Sequence, residues 1–368
     1  MKVLHISNRF WPCIGGVEKV VEQICLGLKK QGIQAEVLCL NKCGQGQKKL
    51  KDFETFKGIK IHRINFIELK YYKIAPQALN FVKDYDILHI HGLGFFLDFL
   101  VLTKYLHKKK IVLHTHGGIF HTKKIMTLKK FYFNFWVKQL LKKADRVIAV
   151  SKNDYDLFEK ITRRKKMTLI ENGIDFDFWA KTENKKHNGI NFIFVGRISK
   201  NKQIDLLIKA ISELKKLSPH TKFKLVIVGE DWGALKKGLT ELRNQLGLEK
   251  EVKFLGGKTD KEIRKIYSEG DFLVSASAYE GFGLSVLEGM TAGLIPIVNN
   301  IGSFNYIIKN KKNGFIVDFK NPKETARKIL RIIKIKNREA IKKKAKEKAS
   351  HARWENKIKQ LIDIYKLV

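Results

Sequence analysis

Short apolar runs alternate with longer amphipathic stretches along the whole chain. Residues 3–7, 35–40, 59–64, 87–90, 111–114 and 146–150 read as strands, and 17–30, 95–107 and 123–143 as helices. Near-continuous apolar strands are those buried on both faces, and joining them in parallel takes a crossover, usually a helix. A second series begins near residue 190. Its strands are 192–195, 224–228, 252–254, 272–275 and 295–298, and its helices 202–217, 235–246, 261–268 and 284–292. The pattern predicts an α/β chain of two Rossmann-like domains, each a parallel sheet covered on both faces. The polar, aperiodic stretch W-A-K-T-E-N-K-K-H-N-G marks the boundary and gives domains at 1–180 and 181–352. Residues 353–367 read as one further amphipathic helix.

Ligands of open α/β sheets gather at the carboxyl ends of the strands, so the loops there hold the candidate chemistry. The most informative is A-Y-E-G-F-G-L-S-V-L-E-G-M-T-A-G, residues 278–293. Gly281 and Gly283 are expected to let the backbone turn tightly and approach a ligand. Phe282 and Leu284 complete the turn. The unpaired N–H groups of the helix that opens there suit a phosphate or a sugar hydroxyl. Glu280 stands at the mouth and Glu288 deeper in the helix, and both can accept hydrogen bonds from a polyol. After the first strand, N-R-F-W-P-C-I-G-G-V-E places Gly15 and Gly16 in a similar turn before a helix. This is not the G-x-G-x-x-G of dinucleotide enzymes. F-I-F-V-G-R-I-S-K-N-K-Q-I-D-L-L sets Arg197 and Lys202 around a helix start, where a planar fork and a point charge clamp a diphosphate.

These strings resemble the retaining glycosyltransferases of family 4, which have the GT-B fold. E-x7-E on a strand, glycine turn and helix is similar to that family's signature. The family pattern G-R-(L/I)-x-x-x-K-G-x-D-x-L is matched at Gly196, Arg197, Lys202, Asp205 and Leu207, with Gln203 where glycine is usual. H-T-H-G-G resembles the family's first-domain histidine motif, E-N-G-I-D its turn before the second domain, and V-K-F-L-G-G-K a segment near the nucleobase. R-W-E-N-K-I-K-Q-L resembles the final helix that crosses back to the first domain.

The resemblance implies two domains facing across a cleft and hexosyl transfer from a nucleotide-diphosphate sugar to a glycan or lipid-linked acceptor, in cell-surface polysaccharide or glycolipid synthesis. It implies catalytic roles for Glu280, His116, Arg197 and Lys202. It places the donor on Gly15, Gly16, Arg197, Lys202, Lys258, Glu280, Gly281, Phe282, Gly283, Leu284 and Glu288. Arg197, Lys202 and the helix start would hold the leaving diphosphate, Glu288 the ribose, and His116 the transferred sugar. No cofactor and no metal are expected, and no D-x-D motif, the usual metal-holding pair of other glycosyltransferases, is read in the chain. Other classes remain: a GT-B nucleotide-sugar epimerase, a catalytically silent GT-B module, or a basic nucleic-acid-binding α/β protein.

Charge and composition alter this little. The formal net charge is +37, mostly from lysine, and is spread over both halves. A nucleic-acid groove concentrates its charge, and no nucleic-acid module motif is present, so nucleic acid is not an expected partner. Residues 120–143 interleave Lys pairs with Phe, Tyr and Trp, a composition that suits an amphipathic helix on an anionic membrane. No apolar run nears the roughly 20 residues that span a bilayer, and no signal peptide is read. The expectation is a cytoplasmic protein, peripheral on the inner face of the membrane. Cys13, Cys25, Cys39 and Cys43 are then expected to be reduced. H-I-H-G and H-T-H-G-G put paired histidines on one face of each strand. A metal is not expected there, because no nearby carboxylate or cysteine completes a ligand set.

Overall fold

The computed structural model describes residues 1–13, 15–44, 48–69, 72–117 and 126–368. The chain forms two compact units, Met1–Gly173 with Trp354–Val368, and Ile174–Arg353. The division therefore falls before the boundary expected at 180. Residues 174–180 belong to the second unit because Phe176 and Trp179 are buried in its core. Asp175 caps the short helix that carries them.

In the first unit the main-sheet strands are β1 (Lys2–Ile6), β2 (Gln34–Leu40), β3 (Phe53–Phe56) and β4 (Ile59–Ile64). After a hairpin, β5 (Ile67–Leu69) and β6 (Tyr72–Ile74), come β7 (Ile87–His91), β8 (Lys110–His114), β9 (Arg146–Ala149) and β10 (Met167–Leu169). The eight-stranded sheet runs β10-β9-β8-β7-β1-β2-β4-β3. All pairs are parallel except β3 with β4. The antiparallel edge was not foreseen. Its signal is Lys57-Gly58, both at positive φ, as the tight hairpin turn between two parallel-twisting strands requires. One sheet face buries Leu4, Ile6, Leu88, Ile90, Ile111 and Leu113 in an aliphatic core. The alternate positions on β1, β7 and β8 carry His5, His89, His91 and His114, all buried.

The C-terminal helix Trp354–Lys366 packs on the helix Gly16–Lys30 of this unit. Two glycines permit its approach. A Cβ on Gly27 would meet Ile358 at 2.5 Å, and one on Gly173 would meet the Trp354 indole at 2.6 Å. Gly173 is thus small for packing rather than for a turn.

Two expectations fail in this unit. The expected helix 95–107 breaks at Thr103, whose hydroxyl bonds to the Phe99 carbonyl. The expected helix 123–143 is Met126–Phe131, then a π turn at Tyr132–Val137, then Lys138–Lys143. Its first residues, and Gly118 of the second histidine string, lie outside the described residues. The cysteines also need correction. Cys13 and Cys43 are disulfide-bonded, whereas Cys25 and Cys39 are free and buried. Adjacent parallel strands deliver their following loops to the same sheet edge, and Cys13 follows β1 while Cys43 follows β2. Sequence spacing alone does not show that meeting.

The second unit's strands are β11 (Ile190–Val195), β12 (Phe223–Val228), β13 (Val252–Gly256), β14 (Phe272–Ser275), β15 (Ile295–Val298) and β16 (Phe315–Ile316). They form an all-parallel sheet in the order β13-β12-β11-β14-β15-β16. Phe192, Phe194, Phe272 and Ile297 fill one face, and each such side chain contributes roughly 1.5–3 kcal/mol on burial. Helices at Gly302–Ile307, Pro322–Ile333 and Arg338–Ser350 were not foreseen. Lysine-rich outer faces obscure the apolar stripe in the last two.

Candidate functional site

In the second unit, β11 and β14 are neighbours although far apart in sequence. The loops leaving their carboxyl ends therefore meet. Asn201 makes the join: its carbonyl accepts from the Ala278 N–H at 2.8 Å, and its side-chain amide donates to the Tyr279 carbonyl at 3.2 Å. Lys202 then forms an ion pair with Glu280, both side chains being largely covered. The Ser277 hydroxyl also donates to Glu280, at 3.0 Å. Asn299, at the end of β15, holds the same loop by donating to the carbonyls of Ala276 and Ser277. The carboxylate is thus held by two side chains on a loop that Asn299 anchors.

The helix Leu284–Thr291 begins beside it, with Gly283 as N-cap at φ +101° and no side-chain cap. Its first N–H groups have no capping side chain. Gly281 is not at positive φ, and a Cβ there would meet nothing within 4 Å. Neither backbone strain nor protein packing demands that glycine. Phe282 is buried in the apolar core, so only its backbone faces outward. Leu284 packs on the same core. Glu288 is buried, and its charge together with the burial of Tyr267 pushes that phenol well up.

Arg197 stacks its guanidinium over the Trp232 indole at 4.0 Å, and the indole N–H donates to Glu230. The β11 and β12 loops abut so closely that a Cβ on Gly229 would lie 1.8 Å from the Gly196 carbonyl oxygen. Lys258 follows β13 in the next loop, where a Cβ on Gly257 would lie 2.9 Å from Glu230. Its ammonium pairs with Glu262 at 2.9 Å, within the capping box of the helix Asp260–Tyr267. Gln203, where the family pattern has glycine, is left-handed at φ +49°. Gln203→Gly should raise stability by about 0.5–1 kcal/mol, since relief of the left-handed strain exceeds the added chain entropy. Urea unfolding measures this, and an unchanged midpoint is the contrary result.

In the first unit Gly15 is extended (φ −179°) and caps the helix Gly16–Lys30. The expected turn lies just before it, where the Cys13 N–H donates to the Phe10 carbonyl at 3.0 Å, and a Cβ on Gly16 would meet nothing within 4 Å. His116 follows β8 at φ +50°, a conformation that costs a side-chain-bearing residue on the order of 1 kcal/mol. Asp154 clamps this turn. Its carboxylate accepts from the Thr115 hydroxyl at 2.5 Å and the Gly117 N–H at 2.8 Å, one on either side of His116. Burial pushes the Asp154 carboxyl up.

Residues 14–178 match a family model described as Glycosyltransferase Family 4, and residues 175–348 one described as Glycosyl transferases group 1. A GDP-mannose:cellobiosyl-diphosphopolyprenol alpha-mannosyltransferase of Xanthomonas oryzae is 32% identical over 86% of this chain and 83% of its own. This chain is a family 4 glycosyltransferase. The protein of that name from Komagataeibacter xylinus is 31% identical over 86% of this chain and 80% of its own. Two solved structures share the GT-B fold over nearly their whole length. HepE of Anabaena, in complex with UDP and glucose, has a TM-score of 0.79 at 20% identity, covering 100% of both chains. Sucrose-phosphate synthase of Thermosynechococcus elongatus has a TM-score of 0.79 at 18% identity, covering 100% of this chain and 98% of its own.

The glycosyltransferase also holds residues that sequence reasoning missed. Asp154 and Ser277 orient the loops but belong to no quoted string. Asp154 was recoverable: Ser151, just after a strand, is a helix N-cap residue type, and it accepts from the Asp154 N–H at 3.2 Å. D-x-D pairs do occur in this glycosyltransferase, at Asp84/Asp86, Asp154/Asp156 and Asp175/Asp177. Asp86 accepts from the Lys2 N–H, Asp156 pairs with Lys152, Asp175 caps a helix and Asp177 pairs with Arg353.

Proposed function

We propose that this glycosyltransferase transfers a hexosyl group, with mannosyl as the first candidate, from a nucleotide-diphosphate sugar to a lipid-linked glycan with retained configuration. The observation that carries it is the Lys202–Glu280 pair at the mouth of the Gly283-capped helix. A cation, a carboxylate and uncapped N–H groups on two joined loops are what a diphosphate and its sugar require. Lys202 and Arg197 stabilise charge growing on the leaving diphosphate, and Glu280 faces the positive charge growing on the sugar. Glu288 holds the ribose. His116 contacts the transferred sugar. Donor and acceptor classes follow the similarity to the GDP-mannose:cellobiosyl-diphosphopolyprenol alpha-mannosyltransferases. No step here calls for a metal.

The test is transfer from GDP-mannose or UDP-glucose to a polyprenyl-diphosphate disaccharide, with the anomeric configuration read by NMR and the assay repeated with EDTA. Retained configuration and EDTA resistance support the reading. Inverted product overturns it, and conversion of the donor without acceptor supports an epimerase.

The acceptor reading extends to a membrane. Among the described residues no helix is long and apolar enough to cross one. Leu128, Phe131, Phe135 and Trp136 are nevertheless exposed together, with Phe131 and Phe135 stacked. Lys130 and Lys138 lie exposed among them, while Phe133, Val137 and Leu140 point into the core. Exposed aromatics among lysines fit the headgroup layer of an anionic bilayer at the inner face of the cell membrane. Replacing Phe131, Phe135 and Trp136 with serine should weaken vesicle binding at least about tenfold, each aromatic being worth on the order of a kcal/mol there. Sedimentation with phosphatidylglycerol vesicles reads this. Equal binding by the variant removes the membrane assignment.

A further inference from the structure

Five imidazoles lie together on one face of the first unit's sheet. In register, His5 on β1 sits opposite His89 on β7, and His91 opposite His114 on β8. The hydrogen bonds do not follow that register. Each steps two residues further along the next strand, as sheet twist brings those rings closest. His5 Nδ1 meets His91 Nε2 at 3.0 Å, and His91 Nδ1 meets His116 Nε2 at 2.9 Å. A second row lies against this one. In it His89 bonds to Tyr365 of the C-terminal helix at one nitrogen and to His114 at the other. Ring centroids of His89 and His91, and of His114 and His116, are 4.4 and 4.5 Å apart in near-parallel planes.

We infer that His91, with His5 behind it, is a positioning residue that fixes His116 as a neutral ring donating from Nδ1. The inference rests on the reading of His116 as a sugar contact. A neutral imidazole has one N–H and one lone pair, so every bond in the row must run the same way. The two directions differ at the buried end. His5 Nε2 has no hydrogen-bond partner. If the row ran from His116 inward, that nitrogen would carry a buried N–H with no acceptor, the rarer and costlier orphan. Running outward, it carries only a bare lone pair. His5 then donates to His91, and His91 donates to His116 Nε2. His116 is the half-buried end of the row. Its remaining nitrogen, Nδ1, holds the hydrogen and offers it to an oxygen of the sugar or of the leaving phosphate. His116 therefore acts as a hydrogen-bond donor, not as a base.

The same rings include two sets whose nitrogens lie within 4.8 Å of one another, His5/His89/His91 and His91/His114/His116. Metal ligation is the weaker reading. Nitrogens at 2.9–3.2 Å already share protons in pairs. Near-parallel stacked planes carry their lone pairs side by side instead of toward one point, whereas a tetrahedral ion needs convergence.

The test uses the full-length chain labelled with 15N-histidine. Long-range 1H–15N spectra at pH 7.5 should show His116 neutral, with Nδ1 protonated. A protonated Nε2, a charged ring, or stoichiometric uptake of Co²⁺ with a ligand-field spectrum overturns the inference. His91→Asn keeps a donor at the Nδ1 position and should retain the His116 signature and most of the turnover. His91→Phe should shift His116 to the other tautomer and lower kcat at least about tenfold with KM little changed. Equal loss in both variants points to packing alone and overturns the role. If His116→Ala transfers sugar at the wild-type rate while the tautomer is as stated, the site reading fails and the row stands.

Discussion

Lys202→Ala should lower kcat by roughly 100-fold or more, the usual scale for removing one preorganised donor from a developing anion. The loss has two sources. The diphosphate loses a cation, and Glu280 loses the partner that neutralises it in the resting site. An unpaired, largely covered carboxylate beside a departing phosphate repels it. Glu280→Gln separates the two, since it keeps a hydrogen-bonding side chain and removes the charge. It should lower kcat while leaving donor affinity close to wild type. Glu288→Ala should do the opposite. A buried carboxylate bonded to ribose contributes about 1.5–3 kcal/mol, so the donor Kd should rise about 10- to 100-fold with kcat less affected. Calorimetric titration of donor and initial-rate kinetics distinguish these outcomes. Wild-type constants in Lys202→Ala and Glu288→Ala together would remove the assignment.

The first unit should also be sensitive to acid. Burial lowers His5 and His116 to about 3, and holds His89, His91 and His114 well below the ordinary value of 6.5. The unfolded chain takes up protons at these positions near pH 6.5, while the folded one does not until near pH 3. Their contribution to stability is therefore complete above pH 6.5 and declines as pH falls from there toward 3. Each ring adds up to about 1.4 kcal/mol per pH unit in that window. The groups facing the row are largely other imidazoles and the Tyr365 phenol, so among the described residues no carboxylate hydrogen-bonded to a ring of the row offsets the loss. Asp98 and Asp154, raised by burial, act in the opposite sense, gaining stability as pH falls through their raised range toward the ordinary carboxylate value. The melting temperature should be flat from pH 8 to 7 and fall steeply below pH 6. His5→Asn should soften the slope by about one proton. A melting temperature that stays constant down to pH 5 contradicts this account.

The parts legible in the sequence were those that depend on local order. Parallel strands show as apolar runs, so both sheets and most crossovers could be written down in advance. The Gly283 turn and the Arg197–Lys202 loop were readable because each is contiguous. What the sequence concealed was sideways adjacency. The Lys202–Glu280 pair follows from β11 lying beside β14, and the Cys13–Cys43 bond from β1 lying beside β2. The histidines were noticed as two separate pairs, and His5 was not connected with them. Three adjacent strands turn those pairs into one hydrogen-bonded array. Other errors had local causes. Lys57-Gly58 went unrecognised as a hairpin turn, and Thr103 as the break in the helix that follows β7.

The second unit begins and ends at one place. Ile174 and Arg353 pair as a bridge, the Ile174 N–H donates to the Ala352 carbonyl, and Arg353 closes on Asp177. A segment whose two ends are pinned together behaves as a cassette within its host gene. It can be excised and expressed alone without leaving frayed ends, or exchanged whole between relatives. Chimaeras cut at these two positions would then exchange the whole unit between parents without redesign of either core, and their sugar and acceptor preferences would report what each unit contributes.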